Sequence, residues 1–496
     1  MGAMQFLLPP GLSGPALDEL KPAYVAGGQD NMPYLSQAIV EPGKLRLLRK
    51  ENESGNVLVP WNVDRAGLLM NSTATLIEQD APYLLALELA RGKVNQLRNQ
   101  MADWMMGGLN APLALPGAIR ETTLSFARAA AYAPAAEALQ LAQTAMTQAY
   151  ATAEQLVDAY IQQVFQFRHQ RQPRLETALG CRLGTKVPSA TVAKALTDAF
   201  NTVCLPLNWG TVEVAENDYH WEPHDHAVDW AVAAGYHVVG GPLLDWQPSQ
   251  LPAWLTLREK SLAGITSYTC NYAATVVKRY RGRVRTWQLT AGTNSQSAFG
   301  LNEDETLWLT LRIAEAMRQA DPHVELVLGL AQPWGEYMAS QPLTNSPFVF
   351  ADKLIRTGLN LAGLNLELVM GVRPRGSYCR DILDASRIMD LYSLLGVPLH
   401  ITLGFPSDAD KDAQASPDLA VNAGRWRSGY TPEIQAEWAE AFARLALCKP
   451  AVKSVLWTHL DDAEPHLFPG CGLVNAKGDV QPALARLGQL RAAHLR

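Results

Sequence analysis

The fold class that the sequence predicts is α/β: a closed (β/α)8 barrel preceded by a small β-sandwich and a helical bridging segment. Three observations predict it. From Gly180 onward, strand-like apolar runs alternate with helical patterns eight times, as expected of a parallel sheet with crossover helices. The repeat runs for about 310 residues, which suits eight βα units closed into a barrel with its site at the C-terminal ends of the strands. Ahead of it the hydrophobic period is first close to two and then helical. The expected boundaries are therefore 1–80 for the sandwich, 81–178 for the bridge and 179–496 for the barrel.

The first 80 residues alternate short β-type runs with turn signals. Ala23-Tyr-Val25, Tyr34-Leu-Ser-Gln-Ala-Ile-Val40, Lys44-Leu-Arg-Leu-Leu48 and Val57-Leu-Val59 are separated by Gly27-Gly28, Glu41-Pro-Gly43 and Glu53-Ser-Gly55. Runs at this spacing predict antiparallel pairing. From Tyr83 apolar residues recur at helical spacing, and after Gly107-Gly108 two alanine-rich helices are expected over roughly 117–132 and 134–170. Arg168-His-Gln-Arg-Gln-Pro-Arg174 reads as a solvated connector. The eight barrel strands are expected near 180–184, 200–208, 236–245, 284–291, 324–331, 361–369, 398–404 and 452–460.

Composition narrows the partners. A formal net charge of -6, with 42 basic against 48 acidic residues, gives no nucleic-acid surface and no polybasic membrane patch. Lys278-Arg279-Tyr280-Arg281 reads as a solvated helix end. No apolar run approaches the ~20 residues that cross a bilayer. Met1 to Pro10 lack the basic and apolar regions of a secretory signal, so the expected compartment is the cytoplasm. The six cysteines have no metal spacing and read as buried free thiols. His224-Asp-His226 has no partner at ligand spacing and falls where a helix begins, so neither metal nor cofactor is expected.

Several tracts bear on function. Asn208-Trp209, Tyr219-His-Trp-Glu-Pro-His-Asp225, Gly240-Gly-Pro-Leu-Leu-Asp-Trp-Gln247, Arg279-Tyr280 to Trp287, Arg387-Ile-Met-Asp-Leu-Tyr-Ser-Leu-Leu-Gly396 and Leu456-Trp457 resemble, in order, segments of the family-10 glycoside hydrolase (xylanase) barrel. The resemblance covers the C-terminal two-thirds of the chain. It implies a glycosidase acting through two glutamates, at the ends of strands four and seven. Here Trp287-Gln-Leu-Thr-Ala-Gly292 puts Gly292 where the acid/base glutamate is expected, and Ile401-Thr402-Leu403 puts Leu403 at the nucleophile. The strand-two lysine and strand-three histidine of the family are replaced by Asn208 and Gly241. The resemblance also makes a sugar-binding role one reading of the N-terminal sandwich; simple packing against its neighbour is the other.

A retaining mechanism needs two carboxyl groups ~5 Å apart, so other carboxylates at the strand ends become candidates. Glu367 interrupts the apolar run Leu364 to Gly371, a costly position unless it faces a polar cavity or pairs with an arginine such as Arg373 or Arg375. Asp245 ends the strand-three run, with a turn or cap as its alternative role. Glu336, in Gln332-Pro-Trp-Gly-Glu336-Tyr337, joins a carboxylate to aromatic residues, a combination that suits sugars. The expected substrate contacts are Asn208, Trp246, Asn294, Gln332, Trp334, His400, Trp457, His459 and Asp461, with one of Asp461 and Asp462 a loop cap. The leading expectation is a glycoside hydrolase with relocated carboxylates: Glu367, with Glu336 or Asp245. The alternative is a carbohydrate-binding pseudoenzyme of the same fold. Either implies a poly- or oligosaccharide partner. A third reading uses the helical segment for homo-oligomerisation.

Overall fold

A computed structural model describes residues 2–28, 30–134, 136–258, 261–295 and 298–496. Eight parallel strands close into a barrel: β1 (Ala178–Arg182), β2 (Thr202–Leu205), β3 (His237–Gly240, continued by Leu244–Asp245), β4 (Thr286–Ala291), β5 (Glu325–Ala331), β6 (Gly363–Val369), β7 (Leu399–Gly404) and β8 (Val452–Trp457). Closure is made by β8 on β1, with Trp457 opposite Cys181, and by β3 on β4, with Gly240 opposite Trp287. Strands covered on both faces carry continuous apolar runs. Accordingly β4 and β6 are buried at every position, including the polar Gln288, Asn365 and Glu367.

Each strand is followed by a helix, and the helix starts are written in the sequence. Asn302 and Glu305 form a capping box. Ser346 and Thr431 cap helices that begin with Pro347 and Pro432, and Asp381 caps Ile382–Ser393. Outside the sheet the apolar faces meet in an aromatic layer: Trp438 stacks on Phe442 at 4.3 Å and on Phe405 at 5.3 Å.

Ahead of the barrel lie two sheets. One orders Ser36–Glu41, Lys44–Arg49, Gly2–Leu7 and Tyr83–Leu84. The other orders Arg425–Trp426, Gly67–Ser72, Asn56–Val63, Tyr24–Gly27 and Met32–Pro33, so its edge strand comes from the segment after β7. Three helices follow, Leu85–Met106, Ala114–Tyr132 and Ala136–Arg171. They dock on the barrel through Arg444 with Asp158 at 2.6 Å and through Phe165 stacked on His494 at 3.9 Å.

Two readings of basic stretches need correction. Arg168 does not lie in a solvated connector: the helix runs to Arg171, and the Arg168 guanidinium donates to the carbonyls of Leu447 (2.5 Å) and Cys448 (3.2 Å), where the helix Pro432–Cys448 leaves its last carbonyls unpaired. In the Lys278–Arg281 cluster Tyr280 is buried and Arg279 pairs with Asp225. That pairing engages the middle residue of His224-Asp-His226, and Arg279 holds the Asp225 carboxyl below the usual carboxylate range. All six cysteines are free thiols, five of them buried.

Candidate functional site

Gly292 follows β4 with a φ of 73°, and a Cβ there would stand 2.5 Å from Arg375 Nη1. The volume that a glutamate would need at this position is therefore filled by a guanidinium. Arg375 reaches it from the loop after β6. Its Nε donates to Glu367 Oε1 at 2.9 Å, its Nη1 to Asp245 Oδ1 at 3.0 Å and its Nη2 to Asp245 Oδ2 at 3.3 Å. Side-chain exposures are 0% for Arg375, 6% for Asp245 and 5% for Glu367. Burial works against the charge of the guanidinium, but the adjacent Asp245 and Glu367 outweigh it and raise its pKa above the ordinary value. Two of the three candidate carboxylates are thus brought together, each held by one arginine. Asp245 also makes the turn weighed as its alternative role, accepting from the Gln247 backbone N–H at 3.0 Å. Leu403, at the expected nucleophile position on β7, is fully buried.

The third carboxylate stands apart from this triad. Glu336 opens a 3-10 turn after β5, accepts from Arg380 Nη2 at 2.7 Å and from the Tyr378 backbone N–H at 3.0 Å. Arg380 also donates to Tyr24 of the N-terminal sheet at 3.0 Å and lies over the Trp334 ring at 4.7 Å. Between that sheet and the barrel rim lies a cleft of about 490 Å³, lined among others by Tyr24, Glu336, Tyr337, Arg373, Tyr378 and Asp418.

The remaining expected contacts fall in several places. Gln332 lines the cleft but is committed: it donates to the carbonyls of Pro374 and Gly376 and accepts from the Tyr337 N–H, fixing the loop that delivers Arg375. Asn294 bridges β4 to β5, donating to the Ala331 carbonyl and accepting from its N–H. Trp246 is buried with Phe299 edge-on at 5.6 Å. Asn208 starts the short turn Trp209–Val212. Trp457 is buried, its indole N–H donating to the Cys471 carbonyl at 2.6 Å.

His400 is not on the rim. It lies at the N-terminal end of β7, its Nδ1 2.7 Å from Ser454 Oγ, because the alternation of the strand places the C-terminal rim four residues further on. Asp461 is the loop cap, accepting from the Ala463 N–H at 2.8 Å, whereas His459 is paired with Asp462 at 2.8 Å. Arg375 was named from sequence only as an alternative partner of Glu367, the pairing it makes here, and Arg380, Tyr24 and Asp418 were not singled out. The place of Arg380 among the arginines soon after a strand that carries a glutamate was the available signal for it.

Residues 175–309 match the model of Glycosyl hydrolase family 10. Endo-1,4-beta-xylanase B of Thermotoga neapolitana is 25% identical over 281 residues, covering 54% of this chain and 72% of that protein. Endo-1,4-beta-xylanase 3 of Hypocrea jecorina is 26% identical over 168 residues, and that match covers 32% of this chain and 46% of the relative. Among solved structures, native xylanase 10B from Thermotoga maritima aligns with a TM-score of 0.49 at 16% identity, covering 64% of this chain and 95% of that one.

Proposed function

We propose that this chain, whose residues 175–309 match the model of Glycosyl hydrolase family 10, binds a xylan-type poly- or oligosaccharide at the rim without hydrolysing it. One observation carries the reading: Arg375 fills the space beside Gly292 and neutralises both Glu367 and Asp245. Glycoside hydrolysis needs one carboxyl that can give a proton and a second that can attack or activate water. A buried carboxylate with its oxygens tied to a guanidinium offers neither a free proton nor a free lone pair to a sugar. The cleft beside the N-terminal sheet has the size of a small-ligand pocket. It combines tyrosine rings with Arg373, Asp418, Asn422 and Gln341, so sugar C–H faces and hydroxyls both meet partners there.

One observation favours a second reading. Glu336 and Asp418 line this same cleft, so a hydrolase using that pair is the competing function. Both are tested together by reducing-end release and calorimetric binding on xylan, xylo-oligosaccharides and aryl xylosides. The expected outcome is saturable binding with no turnover, unchanged in Glu367→Gln, and weakened in Tyr378→Ala. Turnover that disappears in Glu336→Gln would establish the hydrolase instead.

A further inference from the structure

At the ends of β7 and β8 lies a second group of polar side chains that the cleft does not use. His459 follows β8 directly, Asp462 and His466 come from the loop after it, and Asp412 comes from the segment after β7. His459 Nε2 is 2.8 Å from Asp462 Oδ1, His466 Nε2 is 3.8 Å from the same oxygen, and His466 Nε2 is 2.9 Å from Asp412 Oδ2. Side-chain exposure is 3% for His466 and 14% for Asp412, so the group is withdrawn from solvent.

From this arrangement we infer that His459, Asp462 and His466, whose ligand atoms lie within 4.8 Å of one another, form a site for a divalent transition metal of the zinc type, with Asp412 beside His466 as the fourth donor to be drawn in. Three features support it. The first is donor accounting. His466 Nδ1 lies 2.8 Å from the Glu464 carbonyl, which can only accept, so Nδ1 is the N–H and Nε2 is the nitrogen turned to the two carboxylates. Carboxylate oxygens also only accept, so a cation, either a proton or a metal ion, belongs between them and Nε2. The second is orientation from behind. The Gly472 N–H holds Asp462 Oδ1 at 2.8 Å, the Gly470 N–H holds Asp412 Oδ2 at 3.1 Å, and the Glu464 carbonyl holds His466. Backbone partners of this kind aim metal ligands. The third is spacing. Zinc bonds of about 2.0–2.1 Å in a tetrahedron put neighbouring ligand atoms roughly 3.3 Å apart, and the observed 2.8, 2.9 and 3.8 Å straddle that value.

Two imidazoles favour zinc over calcium or magnesium, which take oxygen ligands. The two rings are stacked at 4.2 Å between centroids, so an ion entering between them requires the rings to fan apart about their Cβ–Cγ bonds. His459 has room in its bonding for that change: its Nδ1 is buried without a hydrogen-bond partner. Once Asp412 is drawn in as the fourth ligand the site is closed, which makes it structural rather than catalytic. What it fixes is a wall of the cleft. His466 pairs through its backbone with the segment 414–415, and that segment leads to Asp418, Ala420 and Asn422 on the cleft surface.

The test is a titration of the chelator-treated full chain with Co2+, followed by visible absorption, and then with Zn2+ by calorimetry. The expected result is a tetrahedral Co2+ spectrum that saturates at one equivalent and is displaced by Zn2+. His459→Gln and His466→Gln should each bind Zn2+ more weakly by at least the roughly 10- to 100-fold that loss of an outer-shell partner alone costs. His169→Gln, which alters the separate His169–His494 pair, should bind as the wild type does. Absence of saturable binding by the wild-type chain overturns the site without recourse to any variant. So does a spectrum that survives in the His459→Gln/His466→Gln double variant, or saturation by Ca2+ in preference to Zn2+.

Discussion

Arg375 commits Nε, Nη1 and Nη2 to two carboxylates in a place that water does not reach. Replacing it with methionine keeps the bulk and leaves Glu367 and Asp245 buried without a counter-charge. The expected cost is about 3–5 kcal/mol in urea unfolding. Much of it should return in Arg375→Met/Glu367→Gln/Asp245→Asn, where no charge is left to compensate; an unchanged unfolding midpoint in Arg375→Met would refute the triad. His400 makes a different prediction. Burial, the largest influence, lowers its pKa from 6.5 to about 4. Between those values the unfolded chain takes up a proton that the native chain does not. The stability that neutral His400 contributes is therefore complete above pH 6.5 and is lost as the pH falls toward 4, at up to about 1.4 kcal/mol per pH unit. Thermal scans from pH 7 to pH 5 should show a shallower decline for His400→Gln than for the wild-type chain, and parallel slopes would contradict this. Glu367 and Asp245 were visible in the sequence because a carboxylate in an apolar run is an anomaly. That one arginine serves both was not, since Asp245 and Arg375 are 130 positions apart.

Strands and helices were the most legible level. The expected runs at 284–291, 324–331 and 361–369 meet β4, β5 and β6 within two residues, because strands buried on both faces are mostly apolar along their whole length. The run 236–245 is instead divided into His237–Gly240 and Leu244–Asp245, and Gly241 between them has a φ of 105°. The two-residue strand Arg425–Trp426 had no periodicity to find. It is set by shape: Gly67 has a φ of 113°, and a Cβ there would stand 2.2 Å from the Arg425 carbonyl oxygen. Gly67→Ala should therefore detach this edge strand. Hydrogen exchange at Leu68 and Arg425 is the measurement, with protection expected to fall in the variant and an unchanged pattern excluding the steric account.

At the scale of the whole molecule, the fold and the site have to be argued separately. The barrel closes, the helices cap and residues 175–309 match the family-10 glycosyl hydrolase model, while the space beside Gly292 is taken by an arginine. Fold alone does not carry function, and here the cleft is bounded partly by the N-terminal sheets, through Tyr24 and Met70 of one and Ser36 of the other. The expectation of a sheet module ahead of the barrel came from turn signals. Its contribution to the cleft came only from the tertiary arrangement. The strand Arg425–Trp426 has a further consequence, in time rather than in space. Its partner Gly67–Ser72 leaves the ribosome roughly 350 residues earlier, and at about 5–20 residues per second it waits some 20–70 s for its neighbour. Through that interval the nascent sheet carries an open edge, so completion of the N-terminal sheet is among the last events of synthesis rather than the first.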